Sequence, residues 1–149
     1  MDQEDLDRIL NAAIDELYAR DQQMIVVDVA ERTLCARLAA NLQHSFQEHS
    51  VHAEYNRHGV DPKEIDLPNA DGVLTSMRVF PDIIVHQPGH DRENILVIEV
   101  KKSTNAMPDE ADLRKLERIK EQIGYGFAAF LRLPAGEGAA RANVRMTWV

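Results

Sequence analysis

Cysteine is almost missing from this sequence. Cys35 stands alone, which excludes an internal disulfide and a cysteine-built zinc cluster. Aromatic residues are also scarce, at 5%. Apolar runs are short, and none approaches the roughly 20 residues of a membrane span. The opening MDQEDLDRIL lacks a basic region, so no secretory leader is expected. Repeats and low-complexity tracts are absent as well. These absences point to a cytoplasmic location without a membrane partner, and the single thiol fits a reducing compartment.

What remains is enough for one domain, 1–149, with no room for a separate recognition module. A chain of this length buries a proper core unaided. The net charge of −8 is unevenly spread. Residues 1–23 hold seven acids and two bases, leaving 18 acids and 15 bases for the rest. Acids gathered at a metal site add to the formal total while being neutralised by the ion. Net charge therefore neither supports nor excludes a nucleic-acid partner.

Leu6, Leu10, Ala13 and Leu17 recur at helical spacing and predict a packing helix over 4–20. Leu34, Leu38 and Leu42 predict a second helix from about Asp28 to Phe46. Val51, Ala53 and Tyr55 alternate with polar residues, as in a half-buried strand over 51–57. Residues 58–72 are rich in Gly, Pro, Asp and Asn and read as a long loop. Residues 73–87 follow as a strand pair or one bent strand broken by Pro81. HQPGHDREN is a turn, and Ile95 to Lys102 is an apolar strand ending in charges. A third helix over 109–123 is marked by Leu113, Leu116, Ile119 and Ile123. Tyr125–Leu133 and Asn143–Val149 complete an α/β order, ααβββαββ, for a mixed sheet flanked by helices.

The informative stretch is VFPDIIVHQPGHDRENILVIEVKK. Asp82 opens one strand, and Glu99 and Lys101 lie 17 and 19 residues later, near the end of the next. Residues two apart share a strand face, so Glu99 and Lys101 point together. A hairpin through 86–94 brings Asp82 alongside Glu99. Two such carboxylates repel each other and lose hydration, which Mg²⁺ offsets through hard oxygen ligands. Glu31 sits on the leucine stripe of the second helix, where a carboxylate needs a reason. The competing structural explanations are a surface salt bridge between the strands and a Glu31 favoured by the helix dipole or paired with Arg32 or Arg37.

Together, Glu31, Pro81-Asp82 and Glu99-Val100-Lys101 resemble the PD-(D/E)xK nuclease superfamily. EYNR, VFPDIIVH and LVIEVKK are similar to small prokaryotic proteins of that group. The resemblance implies a restriction-endonuclease-like αβββαβ core over about 28–133, with the first helix and last strand as additions. It also implies Mg²⁺-dependent hydrolysis of DNA, double-stranded by preference, with Mn²⁺ able to substitute. Asp82, Glu99 and the Val100 carbonyl would hold the metal, Lys101 would act on the nucleophilic water, and Glu31 would bind through water or a second ion. Gln122 and Glu54 are accessory candidates. Cutting both strands would call for a homodimer or a larger nuclease complex. The superfamily includes inactive members, so the alternative is a nuclease-fold module for DNA binding or protein assembly. A third reading is a plain structural domain using the Asp-Glu-Lys cluster as a salt bridge.

The remaining candidates carry simpler expectations. His86 and His90 flank Pro88 and Gly89 and read as solvated turn histidines. Cys35 reads as a core thiol, and Tyr125 as structural. Asp61-Pro62-Lys63 repeats the triplet in a polar loop without strand context. Lys102, Arg114, Lys115, Arg118 and Lys120 form either a phosphate-facing set or an ordinary solvated helix face.

Overall fold

The computed structural model describes residues 1–57, 59 and 61–149. The predicted loop residues His58 and Val60 lie outside them. The described elements are α1 (Gln3–Arg20), α2 (Gln22–Val26), α3 (Glu31–Gln43), β1 (Ser50–Ala53), β2 (Glu64–Pro68), β3 (Leu74–Arg78), β4 (Ile83–His86), β5 (Leu96–Lys102), α4 (Glu110–Ile119), β6 (Phe127–Leu133) and β7 (Arg145–Trp148). A π-helical turn, Lys120–Gly124, extends α4. A 3₁₀ turn, Arg141–Asn143, precedes β7.

The chain is α/β, with a five-stranded mixed sheet in the order β1-β4-β5-β6-β7. β5 and β6 run parallel, while the other neighbours run antiparallel. The parallel pair requires a crossover, which α4 provides. Alternation along β5 then divides the core. Leu96, Ile98 and Val100 pack with the leucines of α1 and α3 on one face. Val97 packs with Leu116, Ile119 and Phe130 on the other. The second face is therefore the one on which Glu99 and Lys101 emerge.

Local chemistry explains the start of α1. Asp2 caps α1, accepting the Asp5 N–H at 2.9 Å while the Asp5 carboxylate accepts the Asp2 N–H at 3.1 Å. Leu6, Leu10, Ile14 and Leu17 of α1 are wholly buried, so the acidic first helix is a packing helix. Each such side chain contributes about 1.5–3 kcal/mol by leaving water.

Several predicted boundaries shift. The second helix begins at Glu31 rather than Asp28, because Asp28 adopts φ 55° and ends the preceding turn. β1 stops at Ala53, because Glu54 adopts φ 53°. Both are left-handed positions that favour glycine. The loop expected over 58–72 contains β2, which pairs with β3 in a separate hairpin, Ile65 facing Met77. Residues 73–87 are thus split between two sheets, with Pro81 in the break.

Candidate functional site

Asp82 lies just before β4, whose register with β5 pairs Ile83 with Ile98. Continued by one residue, that register sets Asp82 opposite Glu99. The β4–β5 ladder gives out beyond the Ile83–Ile98 pair. The Asp82 carboxylate takes its place, with Oδ2 accepting the Val100 N–H at 2.7 Å. Two residues further along the same strand, Glu31 Oε1 accepts the Lys102 N–H at 2.8 Å. Successive β5 amides on one edge are therefore satisfied by two carboxylates, one from the sheet and one from the start of α3. Lys102 strengthens the junction, with Nζ 2.9 Å from Asp28 Oδ1 and 3.0 Å from the Val29 carbonyl.

Strand-end capping accounts for Asp82 and Glu31, but not for Glu99. Its side chain is only 4% exposed. Its carboxyl group stands opposite that of Asp82, and two ionised carboxylates so placed repel each other. Burial, reinforced by Asp82, pushes the Glu99 pKa up, against the opposing pull of Lys115. Burial likewise pushes Asp82 up, although the Val100 N–H pulls it down. Lys115 Nζ of α4 stands 3.1 Å from Glu99 Oε1. That oxygen is buried and accepts no well-directed hydrogen bond among the described residues.

A cavity of about 260 Å³ opens beside Asp82, lined also by Glu31, Arg32, Cys35, Ala36, Ala53 and Glu54. Glu54 reaches it from its left-handed position, with its N–H on the Asp82 carbonyl at 3.2 Å and its carboxylate 3.5 Å from Arg32. Larger clefts lie elsewhere, two of them of about 460 Å³ each. One contains Arg132, whose guanidinium is consumed by the Lys102, Asn105 and Met107 carbonyls and by Asp109. The other separates α4 from the C-terminal strand. The smaller cavity is the one that Asp82 and Glu31 line.

Among the described residues, no three His, Cys, Asp or Glu side chains already stand in metal-binding geometry. The donors nevertheless fit a hard divalent ion in kind. They are carboxylate oxygens, one of them buried without a directed partner. Closing them around an ion would require Glu31 or Asp82 to turn.

Other sequence candidates fall in different places. Lys101 is 8% exposed and faces α4, paired with Asp112 and donating to the Pro108 carbonyl at 3.2 Å. Gln122 brackets the hairpin, its amide bonded both ways to the Asp66 backbone at 2.8 and 3.2 Å. Tyr125 is buried, with a hydroxyl that has no hydrogen-bond partner among the described residues. Cys35 is a buried thiol at the cavity wall, pushed well above the ordinary range by burial and the nearby acids.

Two features escaped the sequence reading. Lys115, expected either to face phosphates or to lie on a solvated helix face, meets Glu99 instead: Asp112 and Lys115 flank the Leu113–Leu116–Ile119 stripe and so border the sheet. His86, expected in a solvated turn, is the 2%-exposed end of β4. Its Nε2 lies 2.8 Å from His52 Nδ1 of β1, and Tyr55 stacks on His52. Strand parity held that signal, since residues 82, 84 and 86 share a face.

Comparison with protein-family models gives no match, and no curated protein is similar enough to this chain to count as one.

Proposed function

We propose that this chain is a divalent-metal-dependent nuclease that hydrolyses DNA phosphodiester bonds, with its site at the Asp82–Glu99 pair. The observation that carries the proposal is Glu99, a buried acid set against a second acid at the edge of a cavity. A structural salt bridge needs one carboxylate per ammonium, and this arrangement spends stability on two. The element order α3, β1, β4, β5, α4, β6 supports a restriction-endonuclease-like αβββαβ core, with α1 and β7 added and the β2–β3 hairpin inserted.

Asp82 and Glu99 present their oxygens from adjacent strands, and Glu31 presents another from the start of α3. By resemblance, the Val100 carbonyl completes the donors. When bound, Mg²⁺ or Mn²⁺ would supply Lewis-acid stabilisation of the charge that builds on the phosphate. The buried setting raises the worth of every charge at that point by excluding water.

One observation favours a second reading, a nuclease-fold module that binds DNA or a protein partner without turnover. Lys101, which the resemblance assigns to the nucleophilic water, is engaged with Asp112 instead. The test is cleavage of double-stranded DNA with millimolar Mg²⁺ or Mn²⁺, by wild type and by Asp82→Ala and Glu99→Ala. The expected result is metal-dependent cleavage that both substitutions abolish. Equal cleavage by all three proteins would end the proposal. No Mn²⁺ binding in calorimetry, with or without DNA, would favour the module.

A further inference from the structure

β5 and α4 each carry an acid followed by a lysine: Glu99 and Lys101 on the strand, Asp112 and Lys115 on the helix. The four do not pair along their own elements. Glu99 pairs with Lys115, and Lys101 with Asp112. The two crossed pairs are built differently. Lys101 is pinned at both ends of its reach, by Asp112 and by the Pro108 carbonyl. Its side chain is 10% exposed. Lys115 is 28% exposed and places charge 3.1 Å from Glu99 Oε1; Glu99 Oε1 and Asp112 Oδ2 alike accept no directed hydrogen bond among the described residues, so the pairs differ in exposure and in the Pro108 anchor. It behaves as a point charge on a flexible stem, with a route to solvent.

We propose that Lys115 is the resident counter-charge of the Asp82–Glu99 pair, that a divalent cation binds there by displacing it, and that the Lys101–Asp112 pair is the strut holding α4 in place during the exchange. The proposal rests on the reading of this site as a metal site. Lys115 and the ion compete for the same carboxylate oxygens, so each weakens the other's hold. In the absence of metal, the lysine keeps the acids from being left as uncompensated buried charge. On metal binding it swings outward, which needs no backbone change because its four-carbon stem already reaches the surface. Lys101 cannot make that movement without giving up both of its partners. Its role is positional.

The test is Mn²⁺ titration of the whole chain by calorimetry, with melting temperature measured alongside, for wild type, Lys115→Met and Lys101→Met. Lys115→Gln serves in parallel, should the methionine variant fail to fold. Without metal, both lysine variants are expected to melt below wild type. With Mn²⁺, Lys115→Met binds roughly tenfold more tightly than wild type, because a nearby competing charge is gone. Its metal-induced rise in melting temperature is correspondingly larger. Lys101→Met keeps the wild-type affinity. If wild type binds Mn²⁺ and Lys115→Met and Lys115→Gln bind it equally or more weakly, the exchange is refuted while the metal site stands. If none of the proteins binds Mn²⁺, the metal site falls and the exchange falls with it.

Discussion

Replacing His86 with Gln should remove most of the protein's sensitivity to mild acid at the β1–β4 edge. His86 is 2% exposed. Burial lowers its pKa from 6.5 to about 4, helped by His52 and Lys63 and opposed by Asp91. A base whose folded-state pKa is depressed binds fewer protons folded than unfolded. Stability is therefore full above the unfolded value and is lost as pH falls toward the folded one. With 6.5 and about 4 as the two values, the loss at pH ~5 is about 2 kcal/mol, growing to about 3 kcal/mol at pH ~4. His86→Gln keeps a side chain able to hydrogen-bond His52 but cannot titrate. Urea denaturation at neutral pH and near pH ~5 gives the comparison, since the difference between the two proteins cancels the titrating groups that do not contact His86. The variant should lose about 2 kcal/mol less than wild type over that interval. Parallel losses in the two proteins would show that His86 is not held neutral by burial.

Two further expectations follow from the same packing. Glu99→Gln should be more stable than wild type at mildly alkaline pH, on the order of 1–3 kcal/mol by urea denaturation. The sign follows from its raised folded-state pKa: an acid of that kind contributes stability at low pH that is lost as pH rises past the ordinary glutamate range. Leu38→Ala, at a wholly buried position between α3 and the sheet, should cost about 2–5 kcal/mol by the same measurement.

The parts legible in the sequence were those whose period is long enough to survive local noise. The leucines of α1 and α3 repeat over several turns, and β5 and β6 are apolar runs that only a buried sheet needs. β2 was not legible, because only Ile65 and Leu67 turn inward while a proline and two acids fill the rest of EIDLP. Lys63 shows the same difficulty from the other side. A lysine in a Gly-, Pro- and Asp-rich stretch reads as solvated, yet it is 1% exposed, with its ammonium 4.7 Å above the Tyr55 ring. Strand neighbours from distant segments decide such cases, and no local pattern encodes them. The candidate site divides in the same way. Asp82 opposite Glu99 follows from strand register. The partners of Lys101 do not, because they depend on where α4 lands.

That landing decides what the carboxylates can be for. Asp82 and Glu31 each have a structural duty, since without them two β5 amides would lack partners at the point where the sheet edge opens. Glu99 has none, for it caps no amide. A protein free to choose would gain stability by placing an apolar residue there, as Val97 occupies the same strand face one pleat earlier. An acid retained at that position, beside a second acid and with Lys115 as its counter-charge, is what the proposed metal site accounts for. The nearest cavity is the place where an ion would enter, and its walls are acidic. A cation fits such a place and an anion does not. The phosphate chemistry proposed here therefore stands or falls on whether a cation binds first.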